Sequence, residues 1–358
     1  MNTVDSLKTF DQLTPIFICG FPKSGTTLTL SLLDSHPDFL VMPEETRFFG
    51  DLLPMIRKGV KREKILESIY QDTGVKHFRI GASETTDIGL VDYPQIQFDQ
   101  YKQALENYWK IDGYSEAGLL KALLLAYRDV SGQVNQSFRY WVEKTPLNEL
   151  YIDKMLKLFP KAQFVYILRD PRANFYSYSK TLTKRIDPDF NIHTFLSDWS
   201  GSLLCAVTCQ KRFHGSSKNR FIFMTYEMLT ADPKQMMQML VKTFNSSWDN
   251  ILLQPTRAGI PWQGNSMHGF QFEQVSSQGV AYWKDKLSEK DVRQIESCIG
   301  RRVFNSFGWP LSFEAKKNPM NLCKVLASVL TARNMPWYRK VIFFIRLIQL
   351  RLAGLPIK

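Results

Sequence analysis

Short unbroken apolar runs in this chain alternate with stretches whose apolar residues recur at helical spacing. Ile16–Cys19 and Phe164–Leu168 are continuous apolar runs of strand length, and Phe221–Thr225 reads as a third strand. Runs apolar on both faces predict buried parallel strands. A helix is predicted from about Ser24 to Ser35, with Leu28, Leu32 and Leu33 on one face and His36-Pro37 as the stop. Thr145–Phe159 reads as a helix with Pro146 at an early position, and another opens at about Ala173. Asp232-Pro233-Lys234-Gln235 reads as an N-cap with a capping box opening a helix to Phe244. Ser288–Asp291 repeats that signal, and Gly300 follows as the stop. Gly50 to about Val142 is mixed and helix-rich without a repeat. Its aromatic residues suit a core, a lid or a wall of a binding site. Strands alternating with helices predict an α/β fold, a parallel sheet flanked by helices and wound in right-handed βαβ units. Ligands then belong at the carboxyl ends of the strands. The expected organisation is one domain over residues 1–312, with a helical insertion at about 50–142, and a tail over 313–358.

Composition narrows the class. The 358 residues are 44% hydrophobic and 13% aromatic, enough for one large core or two modest ones. From Phe313 to Lys358 nine Lys or Arg stand against one acid, Glu314, a net of +8 that leaves only +4 of the chain's +12 for the other residues. The basic excess is therefore a tail property and does not argue for nucleic acid. The five cysteines are an odd count without a C-x-x-C pair. That excludes a disulfide framework and a zinc site, and reduced thiols fit the cytoplasm. The first fifteen residues lack the basic and apolar regions of a signal peptide. No uncharged apolar run approaches the roughly 20 residues of a spanning helix.

The densest chemical signal is Pro15–Thr27, PIFICGFPKSGTT. Strand, tight loop and helix start, in that order, build a phosphate cradle from backbone N–H groups and the positive end of a helix dipole. In the nucleotide P-loop, G-x-x-x-x-G-K-[ST], the lysine follows the second glycine and reaches the β/γ-phosphates. Here Gly20 and Gly25 have that separation, but Thr26 takes the lysine position and the lysine sits inside the loop as Lys23. Lys23 would lie against a bound 5′-phosphate and whatever is bonded to it. Gly25 lets backbone approach the ligand. Ser24, Thr26 and Thr27 offer hydroxyls and N–H groups. The plainer alternative is a strand–turn–helix joint with a solvated lysine.

PKSGTT resembles the 5′-phosphosulfate loop of sulfotransferases that use 3′-phosphoadenosine 5′-phosphosulfate (PAPS). Phe164–Lys180, FVYILRDPRANFYSYSK, resembles that family's 3′-phosphate motif. The resemblance implies the sulfotransferase fold and a 3′-phosphate held by Arg169 and, eight positions on, Ser177. An arginine fork and a hydroxyl suit a terminal phosphate. Arg172 either assists or is solvated, and the alternative for Arg169-Asp170 is a surface ion pair. HPDFLVMPEETRFF looks like the corresponding stretch of Golgi-type enzymes. Tyrosylprotein sulfotransferases carry a similar EETR, and heparan sulfate sulfotransferases an E-x-x-F-F. The resemblance implies Glu45 as the base that takes the acceptor's proton, with Glu44 the fallback. Cytosolic sulfotransferases use a histidine instead, and none of the five histidines here lies in a matching motif.

Lys144, in WVEKTP, resembles a lysine beside the transferring sulfonyl group in the tyrosylprotein enzymes; the alternative is a plain helix-start lysine. The family's neighbouring cysteine is absent, so no disulfide is expected there. Tyr226-Glu227 resembles a Y-E-D segment whose tyrosine approaches the adenine, or Tyr226 is packing. Asn265-Ser266 and Tyr282-Trp283-Lys284 look like the family's cofactor-lid and W-K region and carry no assigned role.

These features imply a sulfotransferase with PAPS as cosubstrate, 3′,5′-ADP as product, no metal, and an acceptor with a free hydroxyl: a small molecule, lipid, glycan or tyrosine. The alternatives are a P-loop kinase, which Thr26 in the lysine position argues against, and a catalytically silent nucleotide-binding or membrane-docking protein. The tail, with Trp337, Tyr338 and the run VIFFIRLIQLRLAGLPIK, either lies on a membrane surface or packs as a terminal helix.

Overall fold

The computed structural model describes residues 3–79, 93–185, 191–213, 220–264, 274–313 and seven residues between 341 and 349. Five strands form the main sheet: β1 (Thr14–Cys19), β2 (Phe39–Val41), β3 (Tyr140–Lys144), β4 (Gln163–Leu168) and β5 (Phe221–Thr225), in the order β2-β3-β1-β4-β5. β1 runs parallel to β3 in the register Thr14↔Tyr140 to Ile18↔Lys144, and β2 parallel to β3 from Phe39↔Tyr140 to Val41↔Val142. Ile16, Phe17, Ile18 and Cys19 are fully buried, as a strand covered on both faces requires.

The three expected strands are present; β2 and β3 were not foreseen. The expected helix from Ser24 to Ser35 is shorter, Thr26–Leu33, and Ser35 has left-handed backbone just before His36-Pro37. Thr145–Phe159 is not one helix. Leu147 is left-handed, Asn148–Tyr151 forms a tight helical turn, and the α-helix is only Ile152–Leu158. The cause is local: Thr145 Oγ1 and Asn148 Nδ2 both donate to the buried Glu143 carboxylate, at 2.6 and 2.7 Å, which holds this stretch out of helical geometry. The two later caps form as expected. Asp232 accepts from Gln235 N at 2.9 Å and Ser288 from Asp291 N at 3.1 Å. The helix opened by Ser288 ends at Gly300.

The chain divides into two compact units. The first is Met1–Cys19, Thr26–Val165 and Asp232–Ser276; the second is Gly20–Gly25, Tyr166–Ala231 and Ser277–Lys358. In the first, Phe17 meets Trp141 and Phe49 edge-on at 5.2 and 5.5 Å, and the helices Phe98–Ile111 and Glu116–Val130 pair. Tyr108 OH donates to Asp129 Oδ2 across that helix pair at 2.7 Å. In the second, Phe195 packs edge-on against Phe21 at 5.4 Å and meets Phe175 at 5.1 Å. Asn265-Ser266 and Trp337-Tyr338 lie outside the described residues.

Candidate functional site

The second unit holds the loop and the arginine motif together. Gly20 leaves β1 at φ 145°, Lys23 takes a left-handed φ of 65° and Gly25 a φ of 107°, so the chain curls tightly before the Thr26–Leu33 helix. Arg169 fixes this curl from outside: Nη1 donates to Lys23 O at 3.0 Å and Nη2 to Gly279 O at 3.0 Å. Its guanidinium lies 4.4 Å from the centre of the Tyr226 ring, a cation–π contact that holds the fork's plane. Tyr226 also explains Gly25. A Cβ there would fall 2.6 Å from Tyr226 Cδ2 and 3.1 Å from Ile167 Cδ1, so the glycine is required by the ring as well as by its positive φ.

Two donors in this cluster are buried without a partner, Ser24 Oγ and Arg169 Nε. Unsatisfied buried donors are costly. A hydroxyl in the loop and a guanidinium edge at the arginine motif are the groups that anionic phosphates would satisfy. The residues present therefore fit anionic phosphate groups. Ser177 is buried on the Pro171–Arg185 helix, about two turns beyond Arg169.

Arg172 is neither solvated nor offered to a ligand. Its Nη2 pairs with Asp170 Oδ2 at 2.6 Å and its Nη1 with Glu296 Oε1 at 2.5 Å, between the Trp283 and Phe304 rings. Asp170 is thereby committed to Arg172. Trp283, from the W-K region, is a packing residue of this buried ion network. Asn174, which the sequence did not single out, donates through Nδ2 to Pro22 O at 2.8 Å and ties the loop to the following helix. Glu227 accepts from Asp170 N through Oε1 at 3.0 Å, while its Oε2 is buried without a partner. Burial raises the Glu227 carboxyl above its ordinary range.

The first unit holds Thr26, Thr27, Glu45 and Lys144. Thr26 and Thr27 open the helix that follows the loop. The segment Pro43–Arg47 leaves β2 as irregular chain. Lys144, the last residue of β3 rather than a helix start, donates through Nζ to Glu45 Oε1 at 2.6 Å. The two glutamates have opposite environments. Glu44 is buried and accepts from Tyr93 OH at 2.7 Å, Arg257 Nη2 at 2.5 Å and His77 Nδ1 at 3.0 Å. Burial works against its charge, but Arg257 and His77 outweigh it and hold the carboxyl below its ordinary range. Glu143, beside Lys144, is also buried; Thr46 Oγ1 donates to it at 2.8 Å, and burial raises its carboxyl. Tyr93, His77, Arg257 and Glu143 were missed by sequence reasoning, since no spacing marks them as one group.

The pattern described as "Sulfotransferase family" matches residues 15–250, and the chain belongs to that family. Protein-tyrosine sulfotransferase 1 of Danio rerio is 24% identical over 243 residues, covering 66% of this chain and 55% of that protein. Protein-tyrosine sulfotransferase 2 of Gallus gallus is 24% identical, covering 66% of this chain and 53% of that protein. The chain thus spans about half the length of these curated relatives. Among solved structures, the sulfotransferase domain of the Synechococcus PCC 7002 olefin synthase matches with a TM-score of 0.52 at 19% identity, covering 84% of this chain and 96% of that one. That likeness supports the α/β sulfotransferase fold, a parallel sheet flanked by helices.

Proposed function

We propose that this protein transfers the sulfuryl group of PAPS to an acceptor hydroxyl, leaving 3′,5′-ADP. The observation that carries it is the clamp of Arg169 on Lys23 O, with Ser24 Oγ and Arg169 Nε unpartnered beside it. In the transfer, Glu45 takes the hydroxyl proton as the acceptor oxygen bonds to sulfur in line. The bond from sulfur to the bridging oxygen breaks, and its electron pair stays on the 5′-phosphate. Lys23 and the loop stabilise that developing charge, and Lys144 steadies the Glu45 carboxylate and the sulfonyl oxygens. Arg169 and Ser177 bind the 3′-phosphate; Ser24, Gly25, Thr26 and Thr27 bind the 5′-phosphate; Tyr226 borders the adenine side. No metal enters this scheme.

The acceptor class is a free hydroxyl. The curated relatives' names point to tyrosine, and a small molecule, lipid or glycan uses the same chemistry. The five cysteines, an odd count without a C-x-x-C pair, fit a reducing, cytoplasmic setting. Among the described residues, no helix is long and apolar enough to cross a membrane. In the tail, Arg346 Nη1 donates to Ser197 O at 2.9 Å, while Val341, Ile342, Ile345 and Ile348 are exposed. An exposed apolar row in a tail of net +8 suits an anionic lipid surface. Deleting residues after Phe313 should abolish sedimentation with anionic liposomes; unchanged sedimentation sinks the membrane contact.

The test of the activity uses the donor directly. Wild-type protein should be stabilised against heat by 3′,5′-ADP, and should pass label from [³⁵S]PAPS to some member of a panel of phenols, primary alcohols and a tyrosine peptide. Stabilisation by ATP·Mg²⁺ alone overturns the reading in favour of a kinase. Binding of 3′,5′-ADP with no transfer to any acceptor favours a silent nucleotide-binding protein.

A further inference from the structure

Glu44 is a buried carboxylate that the transfer scheme does not use, yet three separate parts of the chain converge on it. Tyr93 OH and Arg257 Nη2 both reach Oε1, at 2.7 and 2.5 Å, and His77 Nδ1 reaches Oε2 at 3.0 Å. An ionised carboxylate only accepts, so Tyr93 donates its hydroxyl proton and the His77 proton sits on Nδ1. Arg257 Nη2 also donates to Pro43 O at 2.6 Å, so a single nitrogen grips the backbone before Glu44 and the side chain of Glu44 itself. Arg257 is held in turn. It stands in the short antiparallel pair Thr256–Arg257 with Ile260–Pro261. Asp34 Oδ2 ties that pair down, accepting from Thr256 Oγ1 at 2.8 Å and Gly259 N at 2.9 Å.

The grip continues past Glu45. Gly74 N donates to Glu45 O at 2.9 Å. A Cβ on Gly74 would lie 2.7 Å from Glu45 N and 2.8 Å from Glu44 Oε2, so only glycine permits this approach. Thr46 Oγ1 then donates to Glu143 Oε1 at 2.8 Å, and Arg47 N donates to Thr145 Oγ1 at 3.1 Å. The backbone is therefore pinned on both sides of Glu45. The Glu45 side chain, 38% exposed, keeps its contact with Lys144 at 2.6 Å.

We infer that Glu44, with Tyr93, Arg257 and His77, forms a brace of positioning residues that sets where the Glu45 carboxylate is presented to the acceptor hydroxyl. The inference rests on Glu45 being the proton acceptor of the proposed transfer. Its physical basis is the steep dependence of proton transfer on geometry, since a displacement of about 1 Å costs on the order of a hundredfold in rate. Truncating one donor, as in Tyr93→Phe, leaves the ring in place and loosens only one contact.

The test compares Tyr93→Phe and Arg257→Lys in two backgrounds, wild type and Glu45→Gln. The readouts are kcat and KM for PAPS with the best acceptor of the panel, the Kd for 3′,5′-ADP, and the melting temperature. Positioning predicts that Tyr93→Phe lowers kcat by roughly tenfold, with KM for PAPS and the Kd for 3′,5′-ADP within about twofold. In the Glu45→Gln background the same substitution should cost nothing further, because no base remains to be positioned. A loss of equal size in both backgrounds, or an unchanged kcat in Tyr93→Phe, overturns the brace. Should Arg257→Lys not fold, Tyr93→Phe decides alone. A wild-type protein that transfers no sulfate to any acceptor instead overturns the parent reading, and the brace with it.

Discussion

Lys144 Nζ stands 2.6 Å from Glu45 Oε1, and the two differ in exposure, the lysine side chain at 4% and the glutamate at 38%. The cation is interior and the carboxylate is the open partner. Glu44, one residue earlier, is closed off by three donors. A general base needs an oxygen within reach of the acceptor's proton, and Glu45 meets that condition where Glu44 does not. Glu45→Gln should therefore lower transfer by about 10²- to 10⁴-fold, with 3′,5′-ADP affinity unchanged. Glu44→Gln should act differently, lowering the melting temperature as well as the rate, because Arg257 loses its buried counter-charge. Paired kinetics and thermal melts separate the two. Equal transfer in Glu45→Gln and wild type would remove Glu45 from the scheme.

Arg169 has a structural part in the fold and a proposed part in binding the 3′-phosphate. Two of its nitrogens are spent on Lys23 O and Gly279 O, leaving Nε buried without a partner. A charge-assisted hydrogen bond is worth about 1.5–3 kcal/mol. Arg169→Ala should thus weaken 3′,5′-ADP by roughly ten- to a hundredfold in calorimetric titration. Ser177→Ala, removing a neutral hydroxyl, should cost only a few-fold. Adenosine 5′-phosphate, which lacks the 3′-phosphate, separates the arginine's two roles. If the 3′-phosphate is what Arg169 binds, this nucleotide loses much less than 3′,5′-ADP. An equal loss for both nucleotides would mean that Arg169 acts only by shaping the loop.

The loop and the arginine motif were legible in the sequence because each is a contiguous string after an apolar strand. The strand β3 was not. Its sequence, Tyr140-Trp-Val-Glu-Lys, ends in two charged residues, and buried charge is the reverse of the pattern that marks a parallel strand. The same two residues support the candidate site, since Glu143 secures Thr46 and Lys144 meets Glu45. Local polar chemistry thus overrode the hydrophobic signal at the proposed site. Arg172 was misjudged for a related reason. Its partner Glu296 lies 124 positions away, and no local spacing reports such a pair. Gly25 was legible as a glycine the loop needs, but the Tyr226 ring that packs on it was not.

That packing makes a distinct prediction. Gly25→Ala adds a methyl group 2.6 Å from Tyr226 Cδ2 at a backbone φ of +107°. Strain in that region costs on the order of 1–3 kcal/mol. The variant should unfold at lower urea concentration with an unchanged slope, and should bind 3′,5′-ADP more weakly as Tyr226 moves off Arg169. Adding Tyr226→Leu removes the clash but not the backbone strain. The double variant should regain part of the stability and none of the cation–π contact. Full recovery of stability would show that the clash alone set the cost.

Glu227 gives the pH dependence a definite sign. Burial raises its carboxyl above the ordinary value of 4.5, and the Asp170 charge adds to this; the N–H of Asp170 and the Arg169 cation pull the other way without cancelling it. The folded protein therefore holds the Glu227 proton more tightly than the unfolded chain does. Its contribution to stability is fully present below 4.5 and is lost as pH rises through the raised folded value. Glu227→Gln keeps an acceptor for Asp170 N and has no charge to bury. Relative to wild type, it should be increasingly stabilised as pH rises from 4.5 through the raised folded value, with the difference flattening on either side of that window. Urea unfolding of both proteins across that range measures the difference directly and cancels every other titrating group they share. A difference independent of pH would show that Glu227 does not carry this charge cost in the folded state.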